Sequence, residues 1–153
     1  MRDMGSQAPD FTLPDETGAE ITLSALKGGP VVLYFYPRDD TPGCTTEALD
    51  FTALLPEFQA AGARVFGISK DTVAKHCRFR AKRELAVSLL SDAESDVCER
   101  YGVWVEKNMY GKKSMGIQRA TFLIDADGKI AKTWPKVAVA GHAAEVLDAV
   151  RAL

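Results

Sequence analysis

The passage from Val31 to Glu47 constrains this chain more than any other: an apolar run breaks at a proline, turns, and opens a helix. Val31 to Tyr36 is almost continuously apolar and aromatic, the pattern of a central strand covered on both faces. Pro37 and Pro42 punctuate the turn, and proline suits the first position of a helix, where its missing N–H is no loss. With Thr41 as the cap and Pro42 as the first residue, Cys44 falls in the first turn. A thiol there meets unpaired backbone N–H groups and the positive end of the helix dipole, which favour the reactive thiolate. The arrangement predicts a nucleophilic cysteine at position 44.

The rest of the chain alternates strand and helix signals. Phe11-Thr12-Leu13 and Ile21-Thr22-Leu23, separated by Asp15-Glu16-Thr17-Gly18, read as an N-terminal β-hairpin. Ser24 to Lys27 reads as a short helical turn. The helix opened near Thr41 should run to Ala61 and stop at Gly62, with Pro56 kinking it or splitting it in two. A strand at Arg64 to Ser69 precedes a helix capped by Asp71 or Thr72 and reaching about Glu84. Val87 to Leu90 is a short strand, and Asp92 to Tyr101 is helical. Glu106 to Gln118, rich in lysine and glycine, is expected to be an exposed loop. Ala120 to Ile124 and Ile130 to Trp134 flank the turn Asp125-Ala126-Asp127-Gly128, and His142 to Leu153 is a terminal helix. Strands alternating with helices, then a hairpin and a helix, predict an α/β fold with a central mixed sheet flanked by helices. No repeat or linker divides the chain, so residues 1–153 are expected to form one domain.

Bulk properties narrow the function. A net charge of −2 argues against nucleic acid or an anionic membrane as partner. No stretch reaches the roughly 20 apolar residues of a membrane span, and the first ten residues lack the apolar core of a signal peptide. Three widely spaced cysteines, Cys44, Cys77 and Cys98, fit a secreted disulfide framework poorly. The expected location is the cytoplasm, where cysteines are catalytic or buried.

The pattern Pro37-x-x-x-Thr41-x-x-Cys44 resembles the active-site motif of the peroxiredoxins. The longer string Tyr34-Phe35-Tyr36-Pro37 with Thr41-Pro42-Gly43-Cys44-Thr45 resembles the bacterioferritin comigratory protein, or peroxiredoxin Q, branch of that family. Further similarity runs through Gly67-Ile68-Ser69, Leu90-Ser91-Asp92, Tyr101 to Trp104 and Arg119 to Asp125. The resemblance implies a thioredoxin-like fold with an N-terminal extension. It also implies a thiol-dependent peroxidase of hydrogen peroxide and small organic hydroperoxides, recycled by thioredoxin or a similar thiol reductant. No metal, haem or flavin cofactor is implied, and a monomer is the default for the branch.

Peroxide reduction requires a thiolate and donors that stabilise charge on the departing oxygen. Cys44 is the nucleophile by position. Thr41 offers a hydroxyl one turn away and can also cap the helix. Gly43 and Cys44 offer backbone N–H groups, glycine allowing close approach, and Pro37 is expected to shield the thiolate from water and restrain the loop. The resemblance assigns Arg119 to the thiolate and peroxide, and its planar fork suits two acceptors at once. A surface ion pair is the simpler reading of Arg119, as plain capping is of Glu47, one turn past Cys44; Glu47 is also placed to hold Arg119.

Regeneration is less determined. Many members of the branch carry a resolving cysteine five residues after the first, where this chain has Leu49. Others carry it in a Phe-Cys-Ala-Lys-like stretch, matched here by Phe79-Arg80-Ala81-Lys82, with Arg80 at the cysteine's place. Cys77, three residues earlier on the same helix face, is the candidate resolver. It fits a buried stripe with Val73, Ala74 and Ala81 equally well. Cys98 reads as core. Without a resolver this would be a one-cysteine peroxidase reduced by an external thiol. A non-enzymatic redox sensor or holdase is the remaining alternative. A Cys-x-x-Cys reductase is disfavoured, because Glu47 follows Cys44-Thr45-Thr46. The cysteines with His76 and His142 have no compact metal-ligand spacing.

Overall fold

Strand β3 (Val31–Phe35) is buried at every position and lies at the middle of a five-stranded sheet. The computed structural model describes residues 2–153. Two short antiparallel strands, β1 (Thr12–Pro14) and β2 (Glu20–Thr22), form the expected N-terminal hairpin, followed by a 3-10 turn at Leu23–Leu26. On one side of β3 lies β4 (Arg64–Ser69), parallel to it, and beyond that β5 (Ser88–Ser91), also parallel. On the other side β8 (Ala120–Ile124) runs antiparallel, with β9 (Ile130–Trp134) at the edge. The sheet is therefore mixed, in the order β5-β4-β3-β8-β9.

Alternation along β3 supplies both faces of the core. Leu33 and Phe35 join Phe11, Phe66, Phe122 and Tyr101 on one face. Val32 and Tyr34 point the other way, under α1 (Pro42–Ala60) and α4 (His142–Arg151). Tyr34 stacks on Phe51 of α1 with ring centroids 4.6 Å apart. Phe79 of α2 (Val73–Arg83) packs on this same face, whereas Val97 and Cys98 of the single-turn α3 (Val97–Arg100) belong to the first.

Four expectations are corrected. Pro56 does not split α1, which is continuous through it. It sits on the exposed side, where the carbonyl it leaves unpaired can be solvated. The helix expected from Asp92 is shorter and starts at Val97, because the buried Asp92 carboxylate accepts from the N–H groups of Val97 and Cys98 and caps it from outside. The expected loop from Glu106 to Gln118 is largely a hairpin, β6 (Trp104–Met109) with β7 (Lys112–Ile117). Its turn is Tyr110-Gly111, both with positive φ (53° and 79°), as a tight two-residue hairpin turn requires. The buried stripe expected on α2 is also absent: His76 and Phe79 face inward, while Ala74, Cys77 and Ala81 are exposed.

Candidate active site

The central strand delivers Tyr36 and Pro37 to the sheet's C-terminal edge, and α1 begins after a four-residue turn. Thr41 has the extended backbone of an N-cap (φ −96°, ψ 155°), and Pro42 is the first helical residue. Cys44 lies in the first turn, 2% exposed, against the apolar cluster of Tyr34, Ala48 and Phe51. The anticipated side-chain cap is not made. The Thr41 hydroxyl instead donates to the Arg38 carbonyl at 2.9 Å, which leaves its lone pairs unused.

Arg119 precedes β8, the strand paired with β3, and this pairing brings it over the start of α1. Its Nη2 donates to the Cys44 sulfur at 3.3 Å and its Nη1 to Glu47 Oε1 at 2.6 Å. A Cβ on Gly43 would lie 3.2 Å from Nη2, so glycine there leaves the guanidinium its place. Burial works against the charge on Arg119, but Glu47 and Cys44 outweigh it and raise the guanidinium's pKa. Glu47 is 1% exposed, and burial pushes its carboxyl up to about 7 against the pull of Arg119. Its Oε2 has no hydrogen-bond partner among the described residues. Cys44, Gly43, Glu47 and Arg119 thus form one contact group.

Pro37 is half-buried and lines a groove of about 390 Å3 with Arg38, Trp104, Lys107, Met115 and Ile117. The β6–β7 hairpin therefore forms one wall beside the cysteine loop, a contribution hidden by its reading as loop. Burial and the neighbouring Arg119 push Lys107 below the ordinary lysine range, while Cys44 pulls it back.

A second group went unrecognised in the sequence. The Asp39 carboxylate contacts His76 Nδ1 at 2.6 Å through Oδ2 and accepts from the Tyr36 hydroxyl at 2.6 Å through Oδ1. The other ring nitrogen of His76 meets the Leu90 carbonyl at 2.9 Å. Asp71 Oδ2 accepts from the Asp39 N–H and the Ser69 hydroxyl. Asp39, Asp71 and His76 are close enough to hold a metal ion, their ligand atoms lying within 4.8 Å of one another. Each is already hydrogen-bonded within the protein, and Lys75, Arg78 and Lys82 line the adjoining groove. These features describe a polar network that ties α2 to the turn after β3. The available signal was the spacing of His76 and Phe79, three apart and so on one face of α2, where an inward histidine needs a polar partner.

Cys77 is an exposed free thiol on α2, and the structure does not bring it to Cys44. Arg80, at the resolver's place in the resemblance, is engaged with Glu16 and the Val87 carbonyl. Cys98 is fully buried, as expected, and burial beside Asp92 pushes its thiol far above the ordinary range.

A family model described as AhpC/TSA family matches residues 4–133. The chain belongs to the AhpC/TSA family. Within it, similarity is to the peroxiredoxins called Bcp. The Xanthomonas campestris pv. campestris protein is 50% identical over 94% of this chain and 89% of its own. The Bacillus subtilis protein is 44% identical over 97% of this chain and 95% of its own. Among solved structures, a cysteine-to-serine mutant of Xanthomonas campestris peroxiredoxin Q superposes with a TM-score of 0.92 at 48% identity, covering 99% of both chains. A comparable Xylella fastidiosa mutant gives 0.94 at 38% identity, over 99% of this chain and 97% of that one. The fold is thus the thioredoxin-like peroxiredoxin fold with an N-terminal hairpin, and the protein is a thiol peroxidase. Among the described residues, no helix is long and apolar enough to cross a membrane.

Proposed function

We propose that Cys44 is the peroxidatic cysteine of a thioredoxin-dependent peroxidase acting on hydrogen peroxide and small organic hydroperoxides. The contact of Arg119 with the Cys44 sulfur at 3.3 Å carries this reading. The thiolate attacks one peroxide oxygen, the O–O bond breaks, and the second oxygen leaves with a proton as water or alcohol. Sulfur is oxidised by two electrons to a sulfenic acid. Arg119 stabilises charge on sulfur and on the departing oxygen. The Thr41 hydroxyl, its proton committed to Arg38, is free to accept from the peroxide O–H. Gly43 leaves room for the guanidinium, Pro37 screens the loop, and Glu47 positions Arg119. Alkyl hydroperoxides are supported as substrates by the alkyl peroxide reduction described for a 47%-identical Xanthomonas campestris bacterioferritin comigratory protein.

Cys77 then attacks the sulfenic sulfur, water departs, and a Cys44–Cys77 disulfide forms for reduction by thioredoxin. Cys44 is buried and Cys77 exposed, so this step requires the first turn of α1 to unwind and α2 to move. Faster hydrogen exchange in both segments after oxidation is the expected sign. The same separation favours, as a second reading, a one-cysteine cycle with direct reduction by an external thiol. A monomer in a reducing cytoplasm fits either cycle.

Peroxide consumption with thioredoxin and thioredoxin reductase tests the assignment. Cys44→Ser should abolish turnover with any reductant. Cys77→Ser should lose turnover with thioredoxin but keep it with dithiothreitol. Wild-type turnover of Cys77→Ser with thioredoxin would establish the one-cysteine cycle instead.

A further inference from the structure

The residue before Cys77 is the most deeply held on its helix. His76 is 0% exposed and bridges two parts of the protein, from Asp39 in the loop before Cys44 to the Leu90 carbonyl of β5. Asp39 is fixed in turn by the Tyr36 hydroxyl and by its own N–H, which donates to Asp71. A second, more exposed tie lies one residue on. Asp40, in the left-handed region at φ 57°, accepts from Lys82 Nζ at 2.7 Å and Arg83 Nε at 3.0 Å. The helix carrying the exposed cysteine is thereby fastened to the loop that positions the buried one.

We propose that the Asp39–His76 pair is a latch on the Cys77 helix, and that its release sets the rate of Cys44–Cys77 disulfide formation without entering the attack on peroxide. This rests on the reading of Cys77 as resolver. In the gated step the Cys77 thiolate attacks the Cys44 sulfenic sulfur. The S–O bond breaks as the S–S bond forms, and hydroxide leaves with a proton as water. Cys77 sulfur is oxidised and the sulfenic sulfur reduced. Neighbouring residues on a helix project about 100° apart, so Cys77 cannot turn inward while His76 keeps its place. The latch would thus delay resolution, giving a second peroxide time to reach the sulfenic acid and form sulfinic acid. His76 is a positioning residue, touching neither the Cys44 sulfur nor Arg119 by any hydrogen bond in the structure.

Rapid mixing of the reduced enzyme with peroxide, followed by quenching and mass analysis, separates loss of the Cys44 thiol from growth of the disulfide. In His76→Asn the second phase should accelerate about tenfold, the effect of losing one buried charge-assisted hydrogen bond, while the first changes little. About tenfold more peroxide should then be needed for half-conversion to sulfinic acid. Asp39→Asn keeps a neutral hydrogen bond to the ring and guards against a misfolded His76 variant; its second phase should be intermediate. A second phase unchanged or slower in both variants would overturn the latch. Loss of the first phase in both would also overturn it, by placing the pair in the peroxidatic site. A wild-type enzyme that loses its Cys44 thiol but forms no disulfide would instead refute Cys77 as resolver, removing the step the latch gates.

Discussion

Arg119 reaches the Cys44 sulfur across 75 positions of sequence, its Nη2 donating at 3.3 Å while its Nη1 is held by Glu47 at 2.6 Å. The antiparallel register of Phe35 with Ala120 makes this possible, setting the residue before β8 beside the turn that follows β3. The role proposed for Arg119, serving both a thiolate and a departing oxygen, calls for a guanidinium held in one plane, and Glu47 is the contact that holds it. Charge alone does not reproduce this geometry.

Replacement of Arg119 should therefore grade with geometry. Arg119→Ala should lower kcat/KM for peroxide by about 100- to 1,000-fold, the typical loss for a charge-stabilising donor. Arg119→Lys keeps the charge but loses the planar fork, so it should recover only part of that loss. Peroxide-dependent thiol loss in single turnover measures this; wild-type rates in the lysine variant would show that the fork is unnecessary.

At Thr41 the hydroxyl, rather than side-chain shape, should matter. Thr41→Ser should remain close to wild type, and Thr41→Val should fall by about tenfold or more, in line with loss of a hydrogen bond to a reacting group. Equal rates in the two variants would assign Thr41 to loop structure alone.

The two buried titratable groups behind the site should oppose each other in pH dependence. Burial holds Glu47 up at about 7, so between pH 4.5 and 7 the folded chain keeps a proton that the unfolded chain has lost. Its contribution makes stability fall as pH rises through that window. Burial holds His142 down at about 4, its Nε2 paired with the Thr121 hydroxyl at 2.8 Å. Between pH 4 and 6.5 the unfolded chain carries the extra proton, so this contribution makes stability rise with pH. Each amounts to about 3 kcal/mol at most, and they largely cancel near pH 5 to 6. Urea midpoints across this range should climb with pH in Glu47→Gln and fall in His142→Asn. Identical slopes in wild type and Glu47→Gln would contradict the assignment.

Packing around β3 gives a prediction separate from catalysis. A Cβ on Gly67 of β4 would lie 2.6 Å from the Tyr34 ring and 3.0 Å from Leu89. Tyr34 is pinned by stacking on Phe51 and Tyr36, so it cannot yield cheaply. Gly67→Ala should cost about 1–3 kcal/mol, the usual penalty of overpacking, read as a lower urea midpoint. An unchanged midpoint would mean that the aromatic stack shifts freely.

The cysteine loop was legible because its chemistry is local: a proline before the turn, a proline at the helix start, and a thiol in the first turn. The central strand was legible because burial on both faces leaves only apolar residues. The β6–β7 hairpin was not, since both its faces are largely exposed, so no alternation marks it and only Tyr110-Gly111 records the turn. Asp92 read as a helix residue because sequence cannot show its carboxylate capping a helix five residues later. The His76–Asp39 contact was hidden for a related reason. Its partners lie 37 positions apart, on elements brought together by β3 pairing with β4.

Mass analysis with peptide mapping, after one equivalent of peroxide and without reductant, tests the central claim most directly. The expected product has lost two hydrogens, carries a Cys44–Cys77 linkage and keeps Cys98 as a free thiol. Oxidation elsewhere in the chain with Cys44 still a free thiol would contradict the account.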